Sequence, residues 1–328
     1  MIRYTIRRII ILIPTILIVA ALIYTVMSFT PGDPASQILG ETATTEQLDE
    51  MREYLGINDP FLVRLGRFMK QVFIDFDLGE SWIYQTNITY EIGNRMPRTF
   101  VICVYSVLVS ALIGIPLGVS AAVHQNGIAD KIILVFSSIM MCLPGFCVAL
   151  VLIIIFSLKL GWLPPLGIGG IEYYILPCIT IMLTSFPNIA RQMRSSMLEV
   201  IRSDYITNAV AQGFSEKAVY YRHALPNAMM PIITIMGTNF AMGLSGTMIL
   251  ETIFSIPGIG QYVQIGIANR DYPVVTGCVV FLAILFCLIM LCVDLVYASV
   301  DPRVKAQYVE RGKDSVFRRI FRKRGEEA

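Results

Sequence analysis

Charge is scarce in this chain. Asp, Glu, Lys and Arg make up 15% of its 328 residues, where a soluble domain carries about 25%. Hydrophobic residues make up 55% and the mean hydropathy is +0.65, too apolar for an ordinary water-facing surface. Histidine is scarcer still. His124 and His223 are the only two, which argues against a metal site built from histidines. No phosphate-binding GxxxxGKS or GxxxxGKT loop occurs; Gly312-Lys313 lacks both the upstream glycine and the following hydroxyl. HExxH, GxSxG and GxGxxG are also missing. Nothing therefore points to nucleotide hydrolysis or to a covalent catalytic step within the chain. The seven cysteines all sit in apolar runs and form no CxxC pair. They read as small hydrophobes in preference to metal ligands or disulfide partners.

What the chain has in abundance is apolar runs. A helix rises about 1.5 Å per residue, so crossing a hydrocarbon core of about 30 Å takes roughly 20 apolar residues. Six runs qualify: 9–29, 100–123, 132–160, 174–190, 228–250 and 274–298. The fourth is the weakest, because Pro177 and Pro187 interrupt it; Pro116, Pro144 and Pro231 also fall in or near spans. Arg3, Arg7 and Arg8 precede the first run, as in a signal peptide, but the run is longer than the roughly 7–15 residues of a signal core. It reads as an uncleaved span. Gly114 and Gly118 form a GxxxG in the second span, a pattern that permits close helix packing.

The 26 lysines and arginines are unevenly placed. The residues before span one, Lys131, the stretch 191–226 and the segment after 299 hold most of them. The positive-inside rule then predicts both termini in the cytoplasm. Residues 31–98 are predicted on the other side, as short helices lying on the membrane face; Leu48, Met51, Tyr54 and Leu55 recur at helical spacing. The chain thus divides into span one (1–30), this extracytoplasmic region (31–98), a five-span core (99–300) and a basic tail (301–328) that suits anionic lipid. Acids inside spans are few. Asp294, near the cytoplasmic end of span six, is read as a structural partner of a basic residue or of backbone.

The most informative segment is 191–226. It reads as helix, with Gly213 as a stop and Ser215 opening a second short helix that ends near Pro226. Ala209, Ala211 and Gly213 would make a notch beside exposed Phe214, Val219, Tyr220 and Tyr221. Two readings stay open on physical grounds alone: a docking surface, or an amphipathic helix on the inner leaflet.

Asn208-Ala209-Val210-Ala211-Gln212-Gly213, followed by His223-Ala224-Leu225-Pro226, resembles the EAA loop of ABC importer permeases. In that family the loop forms a coupling helix seated in a cleft of the ATPase. Peptide permeases usually carry a basic residue where this chain has Val210 and Gln212. Further elements resemble dipeptide and oligopeptide permeases: Thr30-Pro31-Gly32-Asp33-Pro34-Ala35, Leu55 to Pro60, Asp77 to Ser81, Lys159 to Pro164, Glu251 to Gly260, Asn269 to Pro273 and Asp301-Pro302-Arg303. Their order and the span count cover nearly the whole chain.

The resemblance implies an all-α membrane protein with the type I ABC importer permease fold. It implies a second homologous permease subunit, two ABC ATPase subunits that hold the ATP and magnesium, and an extracytoplasmic substrate-binding protein, with no cofactor, metal or nucleic acid in this chain. The coupling-loop candidates are Asn208, Ala209, Ala211, Gly213, Phe214, His223, Leu225 and Pro226. The outer-gate candidates are Glu251, Phe254, Pro257, Gly258 and Gly260, in a stretch expected to enter the membrane partway and line the outer mouth. The implied cargo is a di- or oligopeptide, with a nickel chelate, glutathione or an opine as alternatives. An ion-coupled secondary transporter and a membrane enzyme or sensor are the rival classes; the scarcity of acids within the spans and of paired catalytic residues weighs against them.

Overall fold

The computed structural model describes residues 2–30, 32–40 and 43–300. The predicted basic tail, Asp301-Pro302-Arg303 and Pro31 lie outside the described residues. Among those described the chain is helical, and a lone antiparallel bridge pairs Glu80 with Asn87. Five helices are long and apolar enough to cross a membrane: α1 (Ile2–Ser28), α5 (Ile88–Val123), α8 (Glu172–Ile201), the run from Glu216 through α11 (Leu225–Gly246), and α14 (Tyr272–Val300). A sixth crossing would be the pair α6 (Ile128–Cys142) and α7 (Gly145–Leu152, prolonged as a π-helix to Lys159), bent by 99°.

Proline acts against expectation here. The third span, predicted continuous over 132–160, breaks at Leu143-Pro144, where both residues have extended backbone. A residue before proline is pushed out of the helical region, and the bend turns α7 onto α8 and onto α12 (Met248–Ile253). The predicted weak fourth span is instead an unbroken helix of 30 residues with Pro177 and Pro187 inside it and both buried. Packing against α5 along its length holds α8 in helical geometry. Neighbouring helices make such prolines tolerable in membranes.

Between helices in lipid, close approach matters more than hydrophobicity. Gly118 on α5 lies so near α8 that a Cβ there would meet the Ala190 carbonyl oxygen at 2.5 Å; at Gly114 it would meet Ile189 at 3.0 Å. The bundle's core is therefore α5, α8 and α11. Helices α1 and α14 pack together at its edge, and α1 exposes many of its apolar side chains, Ile10, Ile18, Leu22 and Val26 among them. They are also joined by an ion pair, Arg8 to Asp294 at 2.8 Å. This is the structural pairing the sequence assigned to Asp294.

The contacts define two ends. One carries α2 (Pro34–Leu39), α3 (Thr45–Tyr54) and α4 (Phe61–Phe73), the loop 77–87, and α12 with α13 (Ile259–Ala268). Asp33 caps α2, and Thr44 and Gln47 form a reciprocal capping box on α3. The apolar spacing predicted to pack α3 leaves Tyr54 86% exposed. Helix α4 packs instead: Phe68 stacks on Tyr24 of α1 with ring centres 4.7 Å apart. The other end carries the turn 124–127 and the short helices between α8 and α11.

Candidate functional site

Helix α8 runs on to Ile201, and the chain turns at Arg202 and Ser203 into α9 (Asp204–Ala211). Gln212 caps α9, and Gly213 adopts φ +82, a left-handed conformation that non-glycine residues rarely take. Ser215 then caps α10 (Glu216–Ala218) by accepting from the Ala218 amide. The stop and restart agree with the sequence reading. The second helix does not end near Pro226. It continues through a π-helical turn, Val219–Ala224, into α11, with Pro226 in the first turn, where a missing N–H costs nothing.

Helix α9 has two faces. Ile206 and Ala209 point inward, 2% and 6% exposed, and join Met193, Met197, Val219, Ala224 and Ala228 in one apolar cluster. Asn208, Val210, Ala211, Gly213, Phe214 and Tyr221 are exposed. Two predicted surface residues are thus corrected: Ala209 lines no notch, and Val219 is buried because the π turn rotates it beneath α9. Tyr220 is half-buried. The His223 ring lies 4.9 Å from the Phe214 ring and half-buried, Leu225 is half-buried, and Pro226 is exposed. Asn227 donates to the Tyr205 hydroxyl and to the His223 carbonyl, tying α9 to the start of α11.

Two residues at this end escaped the sequence reading. Arg194 on α8 donates twice to Asp130 on α6, at 2.6 and 2.7 Å, and the Asn126 amide donates to the same carboxylate. Asp130 is 1% exposed. This pair locks the 124–130 turn to α8. An acid in the first turn of an apolar helix was the available signal.

At the opposite end, Glu251 of α12 is buried and accepts from Thr99 Oγ1 at 2.6 Å, Thr247 Oγ1 at 3.1 Å and the Gln261 amide at 2.9 Å. Thr99 in turn accepts from the Ile259 amide, and Arg98 donates to the Pro257 carbonyl. Gly258 and Gly260 permit this closeness: a Cβ at Gly258 would lie 2.4 Å from the Glu251 carboxylate. The gate candidates are therefore brought together; Glu251, Phe254, Gly258 and Gly260 are buried within the chain and Pro257 is half-exposed. A second buried acid, Asp271, accepts from Ser81 Oγ at 2.5 Å and from the Trp82 amide, pinning loop 77–87 to the head of α14. Thr99 was missed; Asp271 and Ser81 fall within the Asn269 to Pro273 and Asp77 to Ser81 elements, but their pairing was not foreseen.

A multi-span helical bundle with a short two-faced helix at one end has the architecture of a transporter's membrane component. The chain belongs to the binding-protein-dependent transport system inner membrane component family, whose model matches residues 114–306. The family's N-terminal model matches residues 1–103. It is a permease of the peptide/nickel/opine class of ABC importers, an integral membrane transport subunit. It is 35% identical over 305 residues to a glutathione transport system permease protein of Salmonella paratyphi A, covering 93% of this chain and 99% of the relative. A dipeptide transport system permease protein of Alkalihalophilus pseudofirmus is 35% identical over 333 residues, covering 93% and 100%. A probable peptide ABC transporter permease of Sinorhizobium fredii is 35% identical over 310 residues, covering 92% and 99%. In fold, a chain from an inward-facing structure of the MetNI methionine ABC transporter aligns with TM-score 0.57 at 19% identity, covering 65% of this chain and 97% of that one.

Proposed function

We propose that this permease forms half of the pathway of an ATP-driven importer of short peptides, beside a second homologous permease. Two ATPase subunits hold the ATP and magnesium, and a substrate-binding protein delivers cargo from outside. Both termini and α9 face the cytoplasm, a reading supported by the lysines and arginines around 191–226 and after 299.

One observation carries this reading: the two faces of α9. Its exposed edge, Val210 and Ala211, together with Gly213 and Phe214 in the turn that follows, is open to another protein. Its inner face is set into a cluster built from α5, α8 and α11. A push on the edge therefore moves the core that holds the spans, and interiors this dense transmit displacement. Coupling needs only that the ATPase contact this edge differently in its two nucleotide states.

Ala211→Arg tests the reading more cleanly than Gly213→Arg, because α9 backbone at Ala211 is ordinary helix and the side chain is exposed. In the complete complex in liposomes, ATP-dependent peptide uptake should be lost while thermal stability is unchanged. Undiminished uptake would overturn the assignment. Relatives named for glutathione and for dipeptides are equally similar, so glutathione is the second reading. Competition between labelled dipeptide and glutathione for uptake separates the two.

A further inference from the structure

The spans differ in what they show to their surroundings. Helix α1 exposes Ile10, Ile18, Leu22 and Val26, and α6 exposes Ile128, Ile132, Val135 and Ile139, all aliphatic and as apolar as lipid tails. Helices α8 and α11 are different. The most apolar stretches of these two spans reach a mean hydropathy of only 1.3, against 2.8 for α1 and 3.1 for α14. The polar residues are not scattered. On α8, Thr184, Asn188 and Gln192 follow one another at four-residue steps, and on α11 Thr234, Thr238 and Ser245 share a face. Asn188 and Ser245 are exposed, and the other four are half-buried.

The two faces form one surface. Both helices meet α5 with their opposite sides: Ala190 of α8 lies against Gly118, and Gly243 of α11 lies against Cys103. Ala190 stands about 200° round α8 from Asn188, and Gly243 about 180° round α11 from Thr234. Ser196 Oγ donates to the Ala228 carbonyl at 2.9 Å, which sets the register of this antiparallel pair. Equal rises from that point bring Asn188 level with Met236, between Thr234 and Thr238. Thr184 and Thr238 turn their hydroxyl protons back to carbonyls of their own helices. Among the described residues, no hydrogen bond reaches the Asn188 or Gln192 amides. Unpaired amides facing hydrocarbon are costly, so this surface does not suit lipid. It does not suit a tight helix seam either. Such seams use small residues, as Gly114 and Gly118 do, whereas Asn188, Gln192 and Met242, 61% exposed, are bulky. Helix α11 carries no charged residue, and α8 carries none from Tyr173 to Ala190, so the surface offers nothing to a bare ion. It offers amides, each both donor and acceptor, as is every unit of a peptide main chain.

Resting on the importer reading above, we infer that the α8–α11 face is a wall of the peptide pathway, where the Asn188 and Gln192 amides exchange hydrogen bonds with the main chain of the cargo. Main-chain groups are common to all peptides. The wall therefore holds cargo without selecting among its side chains, and the unbranched, adaptable Met242 accommodates them.

The test uses the complete complex in liposomes, with a charged thiol reagent supplied on both sides of the membrane. Asn188→Cys and Thr238→Cys should react above the wild-type background, and dialanine should slow that reaction. Ile18→Cys and Val135→Cys, on the aliphatic faces, should not react. Absence of reaction in both Asn188→Cys and Thr238→Cys, with and without ATP, would mean that lipid or a neighbouring subunit covers the face, and would overturn the proposal. Reaction that dialanine leaves unchanged would show water without cargo, and would overturn it as well. Asn188→Leu keeps the size of the side chain but removes the amide. It should lower uptake of dialanine and of diphenylalanine alike by about tenfold, the effect of one hydrogen bond left unmade, at an unchanged thermal midpoint. Asn188→Gln should retain uptake. A loss confined to one of the two dipeptides would overturn recognition of the main chain. Labelling and its protection do not require ATP-driven uptake. Should wild-type uptake ignore ATP while labelling and protection stand, the importer reading fails and the peptide wall remains.

Discussion

Around Glu251 and Asp271 the chain is joined by buried polar side chains, each carboxylate engaged by several donors. Around Gly213 it is joined mainly by aliphatic packing under α9, with the Asp130–Arg194 pair standing behind it. The contrast has a physical meaning. A satisfied polar network in a low dielectric tolerates one geometry, because a displaced donor becomes a buried orphan. Aliphatic surfaces lose little when they slide by a fraction of an ångström. The Glu251 end is thus built as a fixed frame. The α9 end is a lever whose outer edge is exposed.

The sharpest way to break this comparison is at Glu251. Alanine there strands the Thr99 and Thr247 hydroxyls and the Gln261 amide, at a cost of about 3 kcal/mol. The purified complex should show a clearly lower thermal midpoint, and Glu251→Gln should restore part of it. An unchanged midpoint in the alanine variant would mean that the clasp does not hold this end together. Cysteines at Gly258 or Gly260 should likewise perturb folding before they report solvent access, because no Cβ fits there.

The next test lies at the lever end. Asp130→Ala leaves Arg194 facing a site that is only partly open to water; the Arg194 side chain is 20% exposed. The expected cost is about 2 kcal/mol, below that of a fully buried pair. Arg194→Ala should cost a similar amount, and the double variant less than the sum of the two. Additive losses, measured as shifts in thermal unfolding, would show that the two residues do not act as a pair.

Gly213 should cost less in stability than in function. Nothing lies within 4 Å of where its Cβ would be, so alanine meets only the left-handed backbone, about 1 kcal/mol. A loss of uptake in Gly213→Ala beyond what this stability change explains would point to a partner at that edge. If uptake follows stability alone, the glycine serves the turn and no more.

What the sequence made legible follows the range of each interaction. The break at Gly213 and the cap at Ser215 are local, written within a few residues, and were read correctly. The fate of the prolines was not local. Pro187 sits in a helix held by α5 while Pro144 ends one, and only the packing distinguishes them. The paired residues are more distant still: Asp130 and Arg194 are 64 apart in sequence, Thr99 and Glu251 are 152 apart. Hydrophobic periodicity announced α9 as a helix but left open which small residues face inward. Ala209 does so because it follows Ile206 by three residues, on the buried side.

The smallest expected effect sharpens the frame at its own periphery. Arg52 donates to Asp33 at 2.7 Å, linking α3 to the cap of α2, and its guanidinium holds the Asp33 carboxyl below its usual value of 3.8. A carboxyl whose pKa is lower when folded adds stability above its unfolded value and loses it as pH falls through the folded one. The contribution is therefore intact at neutral pH and fades below about pH 4. Both side chains are about a third exposed, 35% and 30%, so solvent screening keeps the effect small. Hydrogen exchange followed from neutral to acid should show α2 and α3 opening at low pH while α12 and α13 stay protected. Asp33→Asn should remove the pH dependence by making the segment equally loose at every pH. If α2 and α3 keep full protection through the acid range in both proteins, the ion pair is not what fastens them, and the packing of α2 against α3 holds that corner alone.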